Sequence, residues 1–383
     1  MSTLTCVPWG GSELLWSETA LRLLKAGHKV AASVCEWPTR PKQLVDLRQA
    51  GVDLNERWVN PLRRGQAVLR PLIQRTGHWR FGRWLARQNP DLVCISSGSI
   101  AEDLSLINPI VRTGTPYVLI IHAVGEKLWP NDQRARSFME FCGRARRCFF
   151  VSHGNRKLLE IQLGMALPNT EIVRNPSNVR REAAPPWPSQ SQVLRLACIG
   201  RLQPDAKGQD LLLRVLASEA WRSRPIEVSF FGVGDMEEGL QRLVRWFQLE
   251  ERVKFYGHVE DIEGLWAKHH VLVLPSRFEG LPLVIVEAML CGRPVIVTDV
   301  AGNAEIVQDS VTGFVAEAAT VHHLNLAMER AWNFRSQWEE IGKAAAVAIR
   351  AIMPTDPAEV FAQRLLVLAE SDPNQTADRQ PSS

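Results

Sequence analysis

In the segment from Pro275 to Val307, PSRFEGLPLVIVEAMLCGRPVIVTDVAGNAEIV, the first two glutamates, Glu279 and Glu287, have seven residues between them. Glu279 stands just before a helix start, so its carboxylate can point into a ligand cleft. Glu287 lies one to two turns inside that helix among apolar residues, where an unpaired charge is costly. A ligand with two hydroxyls would supply the partner that Glu287 needs. A hydrogen bond to a neighbouring loop is the alternative.

Two cations, Arg201 and Lys207, accompany a second apolar run. Arg201 follows the run LACIG, and Lys207 stands just before Gly208 at a predicted helix start. Both are therefore expected at the carboxyl edge of a sheet. Two cations at such an edge suit a diphosphate, because an Arg guanidinium can bind two phosphate oxygens at once. The alternative is a solvated surface pair.

The elements around the two glutamates are predicted to be strand, helix and strand. The apolar runs VLVLP and PVIVT predict buried strands. Between them LVIVEAML predicts a helix that opens at Gly280 and Pro282 and stops at Gly292, since Pro suits a first helical turn and Gly the left-handed position after a helix. This order places a helix N-terminus at the carboxyl end of a parallel sheet, where open α/β sheets bind ligands and the helix dipole favours anions.

Strands and helices alternate in both halves of the chain. The runs HKVAASV, DLVCISS, YVLIIHAV and RCFFVSH predict buried strands, and SELLWSETALRLLKAG has the apolar spacing of a helix. A Pro-, Ser- and Gln-rich stretch at 183–192 interrupts the pattern, which then restarts. We therefore predict two doubly wound parallel sheets, in domains over 1–182 and 193–350, joined by that linker. An amphipathic helix over 351–370 and a disordered tail over 371–383 follow.

Composition and length narrow the class of protein. The 383 residues are 45% hydrophobic and 22% charged, as in a globular protein of two domains. No run approaches the ~18 apolar residues of a membrane span, and the N-terminal residues lack a secretory pattern, so we expect a cytoplasmic protein. Seven scattered cysteines without a CxxC pair favour reduced thiols over a disulfide framework. The net charge of +4 is only mildly basic.

Four motifs of the second half carry a family resemblance. They are IGRLQPDAKGQDLLL, FFGVGDMEEGL, FYGHV, and FEGLPLVIVEAML continuing into TDVAGNAEIV. Residues 197–316 resemble the donor-binding domain of the family 4 glycosyltransferases, which have the two-domain GT-B fold. The first half is similar more loosely, through WGGSE, LIIH, VSHGNRKLL and RNPSNV. The resemblance implies an α/β protein with two Rossmann-like domains facing a cleft, and a C-terminal helix that returns to the N-terminal, acceptor-side domain.

The resemblance also implies roles for these residues. Glu287 would bind the ribose of a nucleotide sugar, while Glu279 and the amides that follow it would hold the donor sugar and phosphate. The candidate catalytic residues are Glu279, His122, Arg201 and Lys207, and the candidate donor-binding residues are Gly10, Gly11, Arg201, Lys207, Glu279, Gly280, Leu281 and Glu287.

The first half contributes weaker candidates. Gly10 and Gly11 precede Ser12, a good N-cap, and paired glycines let a backbone approach a phosphate, although most such pairs are turns. His122 ends the strand YVLII, and by resemblance it would contact the donor sugar or the reacting centre. A lone histidine at a strand end is more often structural. Ser152 is similarly placed, but a simple N-cap explains it equally well.

Three further residues lie in segments that match the family pattern. Asn175, in RNPSNV, is predicted to be a turn or hinge residue near the donor. Asn303 and Glu305 follow the second strand of the opening motif, after a turn at Gly302. For Glu305 we favour the role of a charge at a helix N-terminus.

No D-x-D sequence occurs in the chain, although glycosyltransferases of the other main fold use one to hold a divalent metal. Here Arg201, Lys207 and the helix N-terminus at Gly280 and Leu281 would stabilise the leaving diphosphate. We therefore expect neither a metal nor another cofactor.

The stretch from 57 to 90 is rich in arginine and contains no acidic residue. Arginine interleaved with aromatic residues suits an anionic membrane surface or a phosphate-bearing acceptor. A solvated face whose tryptophans lie in the core is an equal alternative, and nothing else supports nucleic-acid binding. The set comprises Arg57, Arg63, Arg64, Arg70, Arg75, Arg80, Arg83 and Arg87 with Trp58, Trp79, Phe81 and Trp84.

Together these observations and the resemblance predict a glycosyltransferase that moves a sugar from a nucleotide diphosphate donor to a hydroxyl of a glycan or lipid-linked acceptor, in polysaccharide or glycoconjugate synthesis. The resemblance implies that the anomeric configuration is retained. A peripheral position at the inner membrane face is a further expectation. The alternatives are a non-catalytic GT-B partner subunit and another GT-B enzyme, such as a nucleotide-sugar epimerase or a phosphorylase. Donor nucleotide, sugar and acceptor stay open.

Overall fold

The computed structural model describes residues 1–4, 9–36, 40–57, 70–100, 102, 104–167, 169–188 and 193–370, without the side chains of 70–76. The strands of the first half are β1 (Ser2–Thr3), β2 (Ala31–Cys35), β3 (Asp53–Arg57), β4 (Val93–Ser97), β5 (Tyr117–Ile121), β6 (Arg147–Phe150) and β7 (Thr170–Ile172). Its helices are α1 (Gly11–Lys25), α2 (Lys42–Gln49), α3 (Arg70–Gln88), α4 (Ile107–Thr113), α5 (Asp132–Arg144) and α6 (His153–Leu163).

The second half repeats the alternation. Its strands are β8 (Leu194–Ile199), β9 (Ile226–Phe231), β10 (Val253–Phe255), β11 (Val271–Leu274), β12 (Val295–Thr298) and β13 (Gly313–Ala316). Its helices are α7 (Pro204–Lys207), α8 (Gln209–Leu216), α9 (Glu219–Arg222), α10 (Glu237–Trp246), α11 (Ile262–Trp266), α12 (Leu283–Leu290), α13 (Asn303–Ile306), α14 (Val321–Asn333), α15 (Trp338–Ile352) and α16 (Pro357–Glu370). No helix in these described ranges is long and apolar enough to cross a bilayer.

The strands form two separate parallel sheets. Over the described residues, one has seven strands in the order β3-β2-β1-β4-β5-β6-β7, and the other six in the order β10-β9-β8-β11-β12-β13. In each sheet the order reverses beside the first strand, between β1 and β4 and between β8 and β11. Such a reversal opens a crevice at the carboxyl ends of the strands, where α/β proteins bind ligands. The predicted pair of doubly wound sheets is confirmed.

The segment around α12 follows the sequence prediction closely. The helix spans Leu283–Leu290, and Gly292 takes the left-handed conformation with a φ of 70°. Pro282 occupies the N-cap, one position before the predicted first turn. The helix is buried nearly all round because β11 and β12 lie under it and α15 packs over it. This explains why its sequence lacks a polar face.

A buried arginine of the second half, Arg293, binds the linker. The Arg293 guanidinium donates to the carbonyls of Pro186 (2.6 Å) and Trp266 (2.7 Å) and lies 5.0 Å from the centre of the Trp187 ring. Burial lowers the pKa of Arg293 to about 10. The linker therefore leaves the first half along a defined path.

The C-terminal helix α16 returns to the first half. Its Phe361 packs edge-on against Phe149 of β6, with ring centres 5.0 Å apart, and both are buried in one apolar cluster with Leu15 of α1. Arg364 binds the Glu171 carboxylate over 2.8 Å. Because α15 ends at Ile352, the chain crosses between the halves over 353–356, and the helix lies within the predicted span 351–370.

Among the described cysteines, one departs from expectation, and Cys6 lies outside the described residues. Cys94, Cys142, Cys148, Cys198 and Cys291 are free and buried, in agreement with the predicted reduced thiols. Cys35, however, is disulfide-bonded, so the expectation of reduced thiols is wrong there. Sequence spacing alone does not show which cysteines come close in the fold.

Replacement of Phe361 by Ala should destabilise the first half. The change removes a fully buried ring and leaves a cavity beside Phe149, which typically costs about 3–5 kcal/mol. Urea unfolding monitored by circular dichroism measures the loss. Val360→Ala is the matched control, since Val360 lies on the same helix but is exposed. Equal effects of the two substitutions would contradict the docking of α16.

Candidate active site

Glu279 and Lys207 form an ion pair beside the first turn of α12. The Lys207 ammonium and the Ser276 hydroxyl each donate to Glu279 Oε1 over 2.6 Å. Glu279 is only 6% exposed, so its charge depends on these partners. Sequence analysis assigned Glu279 to the donor sugar and Lys207 to the diphosphate. The structure shows that these two side chains form an ion pair. It adds Ser276, whose position directly after VLVLP was the available signal.

Backbone contacts join the two loops that carry this pair. The N–H of Arg277 donates to the carbonyl of Ala206 over 2.8 Å, and the Arg277 guanidinium binds both oxygens of Asp210 at 2.5 and 2.9 Å. Gly208 has a φ of 66° and lies so close to the Pro275 carbonyl that a Cβ would overlap it. The loops after β8 and β11 are therefore held together at the switch point of the second sheet.

Arg201 follows β8 with an exposed guanidinium. Within the described ranges that group makes no ion pair or hydrogen bond, whereas the Arg201 carbonyl accepts from the Gln209 side chain over 2.7 Å. The backbone is thus fixed and the cation is available to an anion in the crevice.

Glu287 is buried on α12 and one of its oxygens is occupied. Oε1 accepts from the backbone N–H of Asn178 over 3.0 Å and from the Asn178 side-chain amide over 2.7 Å. Burial raises the pKa of Glu287, and the hydrogen bonds from Asn178 oppose that effect. The loop contact that the sequence left as an alternative is therefore present, and sequence analysis missed Asn178 within RNPSNV. Oε2 makes no hydrogen bond to a described residue.

The amino end of α12 meets the first half of the chain. Gly280 and Leu281 lead into the N-cap at Pro282. The carbonyl oxygen of His122 lies where a Cβ on Gly280 would be, so only glycine permits this approach. A Cβ on Gly11 would lie 3.0 Å from the Leu283 side chain. The amino end of α12 therefore meets both the Gly11 turn and the backbone of His122.

His122 directly follows β5 and is buried. Its Nε2 is 3.1 Å from the Ser96 hydroxyl, and its Nδ1 has no hydrogen-bond partner among the described residues. Burial lowers the pKa of His122 to about 4. The imidazole is consequently neutral at pH 7.

The Gly10–Gly11 turn is anchored by Glu13, which sequence analysis did not single out. The Glu13 N–H donates to the Gly10 carbonyl over 3.0 Å. Its fully buried carboxylate accepts from the Trp16 indole over 2.6 Å and from the Thr3 hydroxyl over 3.2 Å. These bonds set where α1 begins, and hence where the glycine backbone meets the crevice.

The remaining candidates have mainly structural contacts. Ser152 caps α6 by accepting from the Asn155 N–H over 3.2 Å, and Asn303 donates to the carbonyl of Thr298 over 3.1 Å. Asn175 is buried, and its side-chain oxygen lacks a partner among the described residues.

Glu305 does act at a helix N-terminus, but that of α6 in the opposite half. Its Oε1 accepts from the Gly154 N–H over 2.5 Å. Sequence reasoning could not reveal this partner, which is 151 residues away.

The arginine-rich stretch is only partly on the surface. Arg57 is half-buried and donates to the Ser33 hydroxyl over 2.7 Å and to the Thr3 carbonyl, and burial of its guanidinium lowers its pKa to about 10. Phe81 is also buried. Neither the buried Phe81 ring nor the engaged Arg57 guanidinium therefore belongs to an exposed cationic face. Trp79 is 61% exposed, with the Arg83 guanidinium 4.7 Å from its ring centre.

Five members of the arginine-rich stretch lie outside the described residues or have side chains that are not described. They are Trp58, Arg63, Arg64, Arg70 and Arg75.

Two Rossmann-like domains facing a crevice, with cations and a helix N-terminus at the switch point of the second sheet, define the GT-B class of glycosyltransferases. The chain matches the family described as glycosyltransferase family 4 over residues 9–181 and the one described as glycosyl transferases group 1 over 194–333. It belongs to the family 4 glycosyltransferases.

Individual relatives agree with this assignment. A GDP-mannose-dependent α-(1-6)-phosphatidylinositol monomannoside mannosyltransferase from Mycolicibacterium smegmatis is 27% identical over 60% of this chain and 64% of its own length. An uncharacterized glycosyltransferase from Haemophilus influenzae is 30% identical over 31% of this chain and 34% of its own. The chain thus matches from about a third to somewhat under two thirds of the length of these two relatives.

Solved structures extend the likeness of fold to nearly the whole chain. Anabaena HepE, in complex with UDP and glucose, superposes with a TM-score of 0.75 and 19% identity over 96% of this chain and 98% of its own. Sucrose-phosphate synthase from Thermosynechococcus elongatus gives a TM-score of 0.73 and 16% identity over 94% and 93%.

The His122 ring should remain neutral well below pH 6. A histidine whose pKa falls from 6.5 to about 4 on folding takes up its proton more readily in the unfolded chain, so its contribution to stability is complete above pH 6.5 and is lost as the pH falls toward 4. NMR titration of the ring resonance that disappears in His122→Gln measures this pKa. A midpoint at or above 6.5 would rule out the buried, neutral ring.

Proposed function

We propose that this protein transfers a hexose from a nucleoside diphosphate sugar to an acceptor hydroxyl, with retention of anomeric configuration. The observation that carries the proposal is the Glu279–Lys207 pair at the amino end of α12, directly opposite His122. A carboxylate for sugar hydroxyls and a cation for phosphate therefore lie next to the point where the His122 backbone meets Gly280. That combination serves a polyhydroxylated, negatively charged donor.

Both glutamates are positioned but retain binding capacity. In Glu279 and Glu287 one oxygen is tied to the protein, while Oε2 makes no hydrogen bond to a described residue. Glu287 Oε2 would accept from the donor ribose, and Glu279 Oε2 from the transferred sugar. Arg201 and the amides of Gly280 and Leu281 would bind the diphosphate.

The reaction that fits these groups is a front-face substitution. The acceptor oxygen bonds to the anomeric carbon as the bond from that carbon to the phosphate oxygen breaks, and the acceptor proton passes to the departing diphosphate. Glu279 is engaged by Lys207, so it is a poor covalent nucleophile. The protein would act by positioning and by stabilising the negative charge that develops on the leaving group.

We further propose that the transfer is independent of a metal ion. Arg201, Lys207 and the α12 N-terminus supply the positive charge that a divalent cation supplies in other glycosyltransferases. Activity of the purified protein should therefore persist in excess chelator, whereas loss of activity that manganese restores would contradict this proposal.

Arg201→Ala should lower kcat/KM for nucleotide-sugar turnover by about 100-fold, because it removes one preorganised stabiliser of the leaving diphosphate. Its side chain is exposed and unpaired among the described residues, so the fold should be unaffected. Release of nucleoside diphosphate from UDP-glucose and from GDP-mannose measures the effect. Lys254→Ala, which removes an exposed cation on β10, is the matched control.

The outcomes separate the alternatives. Equal turnover by Arg201→Ala and wild type would contradict the proposed role of Arg201 in stabilising the leaving diphosphate. Binding of a nucleotide sugar, detected as a thermal shift, without any turnover would favour the non-catalytic partner subunit. Interconversion of the sugar without transfer would favour an epimerase, and absorbance of a lysine-bound pyridoxal phosphate a phosphorylase.

We propose that exposed residues of α3 bring the first half to an anionic membrane or a phosphate-bearing, lipid-linked acceptor. Trp79 offers an amphipathic ring at a bilayer surface, with Arg80, Arg83 and Arg87 exposed on the same helix. This position would place a glycan or lipid-linked acceptor beside the crevice, consistent with polysaccharide or glycoconjugate synthesis.

Replacement of these three arginines by Gln should weaken binding to vesicles rich in phosphatidylserine by about 1 kcal/mol per residue. Sedimentation with such vesicles at low salt measures it, with phosphatidylcholine vesicles as reference. The matched control replaces three exposed arginines of α8 and α10, namely Arg214, Arg242 and Arg245. Absence of wild-type binding, or equal loss in both variants, would end the membrane proposal.

A further inference from the structure

One carboxylate of the second half crosses the crevice to a helix of the first. Glu305 Oε1 accepts from the Gly154 N–H in the first turn of α6 over 2.5 Å. Glu305 Oε2 is buried, has no hydrogen bond among the described residues, and lies 4.0 Å from the Arg174 guanidinium. Burial lowers the pKa of Arg174, and the Glu305 charge opposes that effect. The carboxylate thus meets two positive groups of the first half, a helix N-terminus and an arginine.

On the first-half side, α6 is connected to His122. The Asn155 side chain, one residue after Gly154, accepts from the Val124 N–H over 3.0 Å and donates to the His122 carbonyl over 3.4 Å. A displacement of the α6 amino end would therefore also displace the backbone of His122.

On the second-half side, the turn before Glu305 is connected to Gly280. The Gly302 N–H donates to the Gly280 carbonyl over 3.0 Å, and the Glu305 N–H donates to the Gly302 carbonyl over 3.2 Å. The Ala301 carbonyl lies where a Cβ on Gly154 would be, so this turn is in backbone contact with α6. The contacts of Glu305 thus lead to His122 on one side and to Gly280 on the other, and these two residues meet across the crevice.

We propose that Glu305 is a positioning residue that locks the two halves together and sets His122 against Gly280. Its carboxylate holds α6, and with it His122, while its own turn supports the amides at the start of α12. Without the carboxylate, the α6 amino end loses its anionic partner and the crevice opens. The structural part of this proposal is independent of the proposed function, and only its effect on turnover rests on it.

The test compares Glu305→Ala with Glu329→Ala. Glu329 also pairs with an arginine, Arg224 at 2.7 Å, but wholly within the second half. Small-angle X-ray scattering without substrate should give a larger radius of gyration for Glu305→Ala alone. The radius of gyration of Glu305→Gln should lie between those of the wild type and Glu305→Ala. The amide oxygen of this variant still accepts from the Gly154 N–H but carries no charge. Scattering from Glu305→Ala identical to that of the wild type would overturn the lock.

Turnover provides the second readout. Glu305→Ala should lower kcat by about tenfold, the equivalent of a lost partly buried charge at a helix N-terminus, with partial recovery in Glu305→Gln. KM for UDP-glucose or GDP-mannose should change less, because the donor-binding residues of the second half stay in place. Opening in the scattering with no nucleotide-sugar turnover by wild type would refute the proposed function and leave the lock intact. An unchanged kcat in an opened variant would refute the positioning role.

Discussion

The site depends on the contact of two polypeptide backbones across the crevice. The His122 carbonyl occupies the space that a side chain on Gly280 would need, and the Ala301 carbonyl does the same at Gly154. Backbone contact at this distance leaves no room for a Cβ, and it brings the loop after β5 onto the amino end of α12. The ion-paired Glu279 and the amides at the start of α12 therefore lie beside the backbone of His122.

Three glutamates then give the crevice its charge distribution, and each is held by a different partner. Lys207 holds Glu279, Asn178 holds Glu287, and the first turn of α6 holds Glu305. Because buried carboxylates are costly without partners, these contacts also hold the loops and segments from which the partners come. Glu287 attaches the segment that leads to the linker, and Glu305 attaches the first half. Binding residues and interdomain contacts are therefore parts of one network.

Sequence patterns predicted the elements well where local signals were strong. The run LVIVEAML became α12 to the residue, and Gly292 took the left-handed conformation expected after it. Sequence patterns did not predict the contacts that depend on packing between segments distant in the chain. Arg57 belongs by composition to a cationic surface stretch, yet the strand that carries it lies beside β2, and its guanidinium serves the core. Cys35 similarly gave no sign of a disulfide, since spacing in the sequence does not report distance in the fold.

By itself the sequence determined the two doubly wound sheets, the carboxyl edges that carry the site and the residues of the donor-side loops, because apolar periodicity, turn glycines and caps are local properties. Only the tertiary structure decided which side chains meet: Lys207 with Glu279, Asn178 with Glu287, and Gly154 with Glu305. These pairs are separated by 72, 109 and 151 residues in the chain. The first contact depends on the strand order of the second sheet, which brings the loops after β8 and β11 together. The other two depend on how the two halves dock, and both arrangements are properties of the whole fold.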